Sequence, residues 1–282
     1  MPDLTLSLDA FVRAVGVDCS SPHAIFLGAG ASVSSGIPSA GQCVWEWKRD
    51  IFVTNNPGLE RQFSELTLPS VRDRIQRWLD ARCTYPINGS PDEYSFYMEQ
   101  CYPVSQHRRQ YFADKVRLAR PHTGYKLLCL MAEAGIIAST WTTNFDGLVS
   151  RTATSFNITP IEVGIDCQDR AIRQPRRGEL LCVSLHGDYR YDGLKNTHAE
   201  LQQQESQLED SLIATIEGTS LIVLGYSGRD QSLMKALETA YSRQGTASLY
   251  WCGYGTEISA PVRRLLETAT VAGRAAFYVP TM

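Results

Sequence analysis

The chain has 282 residues, of which 43% are hydrophobic and 20% are charged. These proportions are typical of a folded globular protein and exclude a disordered or collagen-like chain. The 27 basic and 30 acidic side chains give a net charge of −3, so the sequence as a whole offers no electrostatic reason to bind nucleic acid or an anionic membrane. We therefore expect no direct nucleic-acid partner and no membrane partner.

Short apolar, β-branched or aromatic runs recur along the chain and indicate strands, and helical periodicities lie between several of them. Alternation of buried strands with helices is typical of a parallel sheet that is covered on both faces. The sequence therefore predicts an α/β fold with a doubly wound parallel sheet. The predicted strands are 23–27, 136–142, 180–185, 220–224, 248–252 and 275–279, and the predicted helices are 125–132, 201–216, 233–241 and a helix that Pro261 opens.

The segment from about 44 to 120 breaks this alternation. It contains tryptophans, arginines and turn signals such as 56–58 and 88–91, but few strand-like runs. Its ends do not have the composition of linkers. We therefore predict one domain over 1–282 with an inserted helical lobe at about 44–120.

Cysteine spacing and the amino terminus bear on the cellular compartment. No two of the eight cysteines have the close spacing of a zinc knuckle or a redox pair, and Cys129, Cys182 and Cys252 lie in apolar stretches. The first residues carry Asp3 and Asp9 where a leader would be basic, and no apolar run is long enough to span a bilayer. We therefore expect a cytoplasmic protein with reduced, buried thiols.

The first candidate ligand site is the stretch 24–40, where a strand runs into a glycine-rich turn and then a helix. Gly28 and Gly30, with the small Ala29 between them, would let a diphosphate approach backbone amides at a helix start. The alternative is a tight connection without a ligand. Because the next glycine is Gly36, the Gly-x-Gly-x-x-Gly fingerprint fails, and a simple hydride-transfer enzyme is disfavoured.

Polar side chains follow three further predicted strands, at the end of the sheet where open α/β folds bind ligands. Asn144 and Asp146 follow the second, His186 the third, and Ser227 with Asp230 the fourth. Each has a structural alternative. Asn144 and Asp146 could cap a helix, His186 could be a core histidine, and Ser227 and Asp230 have the spacing of a capping box.

Taken together and in this order, the four elements resemble the sirtuin family. The resemblance implies a Rossmann-like domain that binds NAD as its substrate and cleaves the bond between nicotinamide and ribose. The matching stretches are GAGAS with SSGIP at 28–38, the helix leading through Gly135 to TTNFDG at 142–147, LHG at 185–187, and GTSLIVLG at 218–225.

The chain also departs from the deacylating sirtuins. Those usually carry Phe-Arg where 39–41 reads Ser-Ala-Gly, and a four-cysteine zinc module where 188–220 contains no cysteine. The resemblance therefore implies neither a zinc module nor a metal, and protein deacylation is disfavoured. Thr143 in place of glutamine, and the sequence GYSGRD at 225–230, look like the divergent bacterial sirtuin-like domains that hydrolyse NAD in anti-phage defence.

The resemblance also implies roles for individual residues. Asn144 would position the ribose hydroxyls and the attacking water, His186 would act as general base, and Asp146 would steady the nicotinamide. The implied NAD-binding residues are Gly28, Ala29, Gly30, Ser32 and Ser34 at the diphosphate, Gly225, Tyr226 and Ser227 at the adenosine half, and Thr143.

The predicted activity is hydrolysis of NAD⁺ to ADP-ribose and nicotinamide, as an NAD-depleting effector in bacterial antiviral defence. One alternative is an NAD-dependent protein deacylase or ADP-ribosyltransferase. Another is a non-catalytic module that senses NAD or ADP-ribose. Because an unrestrained NAD hydrolase would harm its own cell, we expect control by a homo-oligomer or an activating partner, with the 44–120 lobe as lid or interface.

Overall fold

The fold is built on a parallel sheet. The computed structural model describes residues 4–17, 21–165, 167–187 and 206–281. Within them, seven strands form one sheet in the order β3-β4-β2-β1-β5-β6-β7, and every neighbouring pair is parallel. The strands are β1 His23–Leu27, β2 Ile137–Thr142, β3 Thr159–Val163, β4 Glu179–Ser184, β5 Leu221–Leu224, β6 Leu249–Tyr254 and β7 Ala276–Thr281.

The described residues also form ten α-helices and two short 3-10 helices, one of them directly after β1. The α-helices are α1 Leu8–Val17, α2 Ala40–Asn55, α3 Pro69–Asp80, α4 Glu93–Cys101, α5 Ser105–Arg117, α6 Thr123–Glu133, α7 Leu148–Ala153, α8 Ser206–Gly218, α9 Gln231–Tyr241 and α10 Ala260–Val271; the 3-10 helices are Ala29–Ser35 and Gln168–Ile172.

Helices cover both faces of the sheet. Alternate residues of β1 point to opposite faces, as the two-residue period of a strand requires. Ala24 and Phe26 pack in one core with α8, α9 and α10, whereas Ile25 and Leu27 pack in a second core with α1, α6 and α7. All five residues of β1 are buried, which explains the uninterrupted apolar run in the sequence. The predicted doubly wound α/β fold is confirmed.

All six predicted strands are present, and the prediction missed a seventh. Among the strands that the structure describes, β3 lies at the edge of the sheet and pairs with β4 alone. Its sequence contains Pro160 and Glu162, which weaken a strand signal, because proline cannot donate a ladder hydrogen bond and is tolerated at edges. The predicted helix 201–216 is observed as α8, and 201–205 lie outside the described residues.

The inserted helical lobe is also confirmed. It consists of α2 to α5, and these helices enclose an apolar core separate from the two cores of the sheet. The lobe begins with a capping box, in which Ser39 accepts from the amide of Gln42 and the Gln42 side chain accepts from the amide of Ser39. Buried side chains at the centre of the lobe core are Trp47, Phe63, Ile75, Leu79, Tyr97 and Met98.

One lysine is completely buried inside this lobe. Lys48 has no exposed surface, and its ammonium group forms an ion pair with Glu93. It also donates to Gln76 Oε1 at 2.9 Å and to Asn88 Oδ1 at 2.8 Å. Burial lowers the pKa of Lys48, and the Glu93 carboxylate opposes that change. Lys48 therefore joins α2, α3, α4 and the loop before α4 through three acceptors.

The thiols of Cys129, Cys182 and Cys252 are buried, as predicted, and none of the three forms a disulfide. Burial raises the pKa of the Cys129 thiol to about 11, and those of Cys182 and Cys252 to about 12, so all three are neutral at physiological pH. Cys19 lies outside the described residues. Among the helices that the structure describes, none combines the length and the apolar character needed to cross a membrane.

We predict that Lys48→Met lowers the free energy of unfolding by about 3 kcal/mol or more, because it leaves the Glu93 carboxylate buried without its cation. Arg264→Ala is the matched control, since it removes an exposed ion pair with Glu238 and should cost less than about 1 kcal/mol. Urea unfolding followed by circular dichroism measures both values. Equal losses in the two variants would contradict a structural role for the buried pair.

Candidate active site

Four neighbouring strands, β4, β2, β1 and β5, end in register at the carboxyl end of the sheet, which is the edge that carries the candidate site. The last residue of β1, Leu27, pairs with Thr142 of β2 on one side and with Leu224 of β5 on the other. Thr142 in turn pairs with Ser184, the last residue of β4. The loops that carry the four sequence motifs therefore leave the sheet side by side, at the edge where open α/β sheets bind ligands.

The turn after β1 and the turn after β5 touch backbone to backbone. Gly28 donates its amide hydrogen to the carbonyl of Leu224, and Gly30 donates to that of Gly225, both at 2.9 Å. A Cβ atom on Gly28 would lie 2.5 Å from the Gly225 carbonyl oxygen. One on Gly225, where φ is +65°, would lie 2.3 Å from the amide nitrogen of Ala31. Each turn therefore needs glycine because of the other turn.

This contact differs from the phosphate cradle that the sequence predicts. The Gly225 turn fills the space beside Gly28 and Gly30, and the amides of Gly28, Gly30 and Ala31 all donate to protein carbonyls. A diphosphate at this edge would have to bind on the outer rim of the two turns. Of the residues predicted to bind NAD, Gly30, Ser34, Gly225 and Ser227 are exposed there, and Ala29 and Thr143 are half-buried.

The side chain of Tyr226 packs into the core. Its ring contacts those of Phe26 and Trp251, with centroid separations of 5.0 and 5.7 Å. Burial raises the pKa of Tyr226 well above its ordinary value. The ring belongs to the core beneath α9 and α10, so the rim receives only the backbone of this residue.

Ser32 lies buried at the centre of a polar cluster instead of facing a ligand. Its hydroxyl donates to Asp146 Oδ2 at 2.5 Å. Because an ionised carboxylate only accepts, the single hydroxyl hydrogen is used in this bond. The Tyr125 hydroxyl, at 2.8 Å, and Asn144 Nδ2, at 3.1 Å, therefore both donate to the serine oxygen. Ser32 has no hydrogen-bonding capacity left for a diphosphate, and it joins Asp146 to Asn144.

The amide of Asn144 is fixed in one orientation. Its Nδ2 donates to the carbonyl oxygen of Gly28 at 3.0 Å as well as to Ser32. A backbone carbonyl can only accept, so nitrogen and not oxygen faces Gly28. Both amide hydrogens are thus committed, and Oδ1 has no partner among the described residues. The structure leaves Asn144 with an acceptor to offer, and no donor.

Asp146 has both of its carboxylate oxygens engaged. Oδ2 accepts from Ser32, and Oδ1 accepts from the amide of Leu148 at 2.9 Å, at the start of α7. The helix-capping alternative is therefore correct in part for Asp146. It does not describe Asn144, whose side chain bonds the turn after β1.

His186, in the loop after β4, contacts the carboxylate of Asp230, in the loop after β5. Its Nε2 lies 3.1 Å from Oδ2 of Asp230, and the side chain of His186 is 9% exposed. The predicted capping box is wrong in register, since Asp230 itself is the N-cap of α9 and accepts from the amides of Ser232 and Leu233. Burial opposes ionisation of Asp230, but His186 and these donors lower its pKa below the ordinary value.

Phe145, between Asn144 and Asp146 in sequence, connects the site to the helical lobe. Its ring centroid lies 4.9 Å from that of Phe112 on α5 and 6.5 Å from that of His186. Phe145 is also packed against the apolar core of the lobe. The loop that carries the two predicted catalytic residues is therefore anchored to the inserted helices.

A small cavity of about 20 Å³ adjoins Asn144 and Asp146. It has room for about one water molecule and is too small for a nicotinamide ring. In the part of the chain that the structure describes, no group of three or more His, Cys, Asp or Glu side chains could hold a metal ion.

Tyr125 and Asp230 were not among the predicted catalytic or NAD-binding residues. Tyr125 lies on α6 within a helical apolar pattern, which gives no sign that its hydroxyl reaches Ser32. Asp230 was expected at the same end of the sheet, but only with a possible capping role, and its contact with His186 was not predicted.

Comparison with known proteins gives one family match. Residues 138–271 match the family model of the SIR2-like domain. No curated protein matches the sequence. The chain is similar to a solved structure from work on sirtuin substrate affinity, with a TM-score of 0.48 and 15% identity; the match covers 98% of this chain and 94% of that chain. It is also similar to one from work on the mechanism and regulation of Sir2 enzymes, with a TM-score of 0.43 and 14% identity; this match covers 95% of this chain and 90% of that chain.

We predict that Gly225→Ala destabilises the protein by at least about 2 kcal/mol more than Gly255→Ala, because its Cβ would overlap the backbone of Ala31. Gly255 is a matched control, since its φ is +76° and nothing lies within 4 Å of its Cβ position. Both variants bear the cost of a positive φ, which is about 1 kcal/mol. Chemical denaturation isolates the steric difference, and similar losses would show that the two turns do not pack this closely.

Proposed function

We propose that this chain, which is sirtuin-like by the domain it carries, hydrolyses NAD⁺ to ADP-ribose and nicotinamide. The observation that carries the proposal is the position of Asn144 and His186 on loops that leave adjacent, register-matched strand ends. An amide acceptor and an imidazole at one sheet edge are the groups needed to orient a hydroxyl or a water and to take its proton.

The donor and acceptor set fits such a substrate. Asn144 Oδ1 would accept from a ribose hydroxyl or from the attacking water, and the Gly28 carbonyl and Ser32 hold that oxygen in place. Asp146 bonds to the same serine as Asn144, and each of its carboxyl oxygens is already bonded to the protein. A fixed carboxylate would stabilise positive charge that develops as the bond between nicotinamide and ribose breaks, without having to reorganise.

The diphosphate would bind at the rim of the two glycine turns. Ser34 and Ser227 are exposed there and can donate hydroxyl hydrogens, whereas Ser32 cannot. This assignment keeps Ser34 among the diphosphate-binding residues that the resemblance implies and removes Ser32 from them.

The same site could serve a deacylase or an ADP-ribosyltransferase, in which an acyl oxygen or an acceptor group replaces water. We favour hydrolysis because the sequence lacks the cysteines of the zinc module that frames the peptide cleft in deacylating sirtuins. Together with Thr143 and the GYSGRD stretch, this supports an NAD-depleting role in bacterial antiviral defence. Phe145 offers a route by which a homo-oligomer or a partner on the lobe could control the site.

We predict that Asn144→Ala and His186→Ala each lower nicotinamide release from NAD⁺ by about 100-fold or more, the usual scale for loss of an acid–base group. His107→Ala, which removes an exposed histidine of α5, should have no effect. Chromatography of nicotinamide, ADP-ribose and cyclic products measures turnover, and circular dichroism verifies folding.

Two outcomes would contradict the proposal. Unchanged turnover in both folded variants would remove Asn144 and His186 from the reaction. A wild-type chain that binds NAD⁺ but releases no nicotinamide, with or without candidate partners, would favour the sensor alternative. Mass spectrometry of an acylated peptide separates deacylation and ADP-ribosyl transfer from hydrolysis.

A further inference from the structure

We infer that Asp230 is a positioning residue that holds neutral His186 in the tautomer with hydrogen on Nε2 and leaves Nδ1 to take the proton. The inference rests on the proposed function for its catalytic consequence. Its structural part, the tautomer, can be tested whether or not the chain hydrolyses NAD⁺.

The His186 imidazole and the Asp230 carboxylate face each other through one nitrogen and one oxygen atom. His186 Nε2 and Asp230 Oδ2 lie 3.1 Å apart, and both atoms are shielded from solvent. Neither atom forms a hydrogen bond of regular geometry within the described residues, so the 3.1 Å contact is the polar interaction that the two atoms share. An isolated buried carboxylate oxygen is costly, so the neutral imidazole is expected to place its one hydrogen on the nitrogen that faces it.

The Asp230 carboxylate is not free to turn away from His186. Its other oxygen, Oδ1, caps α9 and accepts from the amide of Ser232 at 3.1 Å, the amide of Leu233 at 3.2 Å and the hydroxyl of Ser232 at 2.9 Å. These three donors fix the plane of the carboxylate. A helix cap therefore sets the direction of the oxygen that His186 contacts.

The pair also spans the site. His186 follows β4 and Asp230 precedes α9, after β5, and the ends of β2 and β1 lie between those strands. Asn144 and Gly28 follow these two intervening strands. The contact between His186 and Asp230 therefore lies at the same end of the sheet as the bond between Asn144 and the Gly28 carbonyl.

A carboxylate on Nε2 gives His186 a defined chemical role. In hydrolysis, Nδ1 takes the proton that the attacking water loses, the oxygen of that water bonds to the ribose carbon, and neutral nicotinamide leaves with the electrons of the broken bond. The imidazolium so formed faces Asp230, which stabilises it. The proton then passes to solvent, so the net reaction releases one proton.

Asp230→Asn tests the inference because asparagine is also a good N-cap. The cap amides require an acceptor, so the amide oxygen of Asn would face α9 and its NH₂ group would face His186 Nε2. That nitrogen would change from donor to acceptor, and the tautomer would reverse to Nδ1–H. Ser232→Ala is the matched control, since it removes one hydrogen bond to Oδ1 but leaves the contact with His186.

Nitrogen-15 NMR of histidine-labelled protein, with the His186 signals assigned by their loss in His186→Ala, measures the tautomer. We expect Nε2–H in the wild type and in Ser232→Ala, and Nδ1–H in Asp230→Asn. An Nδ1–H tautomer in the wild type, or ring shifts that are the same in Asp230→Asn, would overturn the inference even if the protein is an active hydrolase.

Kinetics supply the second readout. Asp230→Asn should lower kcat at least about 10-fold with little change in KM or in the unfolding midpoint, as loss of an orienting partner does. In the His186→Ala background, the same substitution should have no further effect, because Asp230 acts through His186. An equal loss in both backgrounds would assign Asp230 a purely structural role.

Discussion

The backbone contact between Gly28 and Gly225 is the constraint on which the candidate site depends. β1 and β5 are neighbours, but α6, which leads into β2, and α9, which follows β5, cover opposite faces of the sheet. Where the helices change from one face of a parallel sheet to the other, the loops after the two strands normally leave a crevice between them. Here the two turns close against each other. The first turn binds the Asn144 amide through the Gly28 carbonyl, and the loop after β5 brings Asp230 within 3.1 Å of His186.

The fold was largely predictable because its strands are buried on both faces. Runs such as 23–27 and 221–224 are apolar throughout, which only a covered parallel sheet explains. β3 was not predicted because an edge strand pairs on one side, so residues that weaken a strand signal, such as Pro160 and Glu162, are tolerated in it. The lobe was predictable as helical, whereas the burial of Lys48 was not, since its three acceptors come from positions 28 to 45 residues away.

The site was predictable only as a location. Strand ends and their polar residues predict one end of the sheet, and the register of β4, β2, β1 and β5 brings the loops with those residues together there. Hydrogen-bond assignments were beyond reach, because they depend on side chains more than 90 residues apart, as in the contacts of Ser32 with Tyr125, Asn144 and Asp146. The sequence therefore placed Ser32 with the ligand, although its hydroxyl is consumed by the protein.

The close approach of the two glycine turns also constrains how this protein can vary. A methyl group at 28 and a methyl group at 225 would each invade the other loop's main chain. Neither position can therefore drift alone, and a relative that carries a larger residue at one of them must have moved both loops. Positions 28 and 225 are almost 200 residues apart in the sequence, and the space available to each residue is set by the other loop.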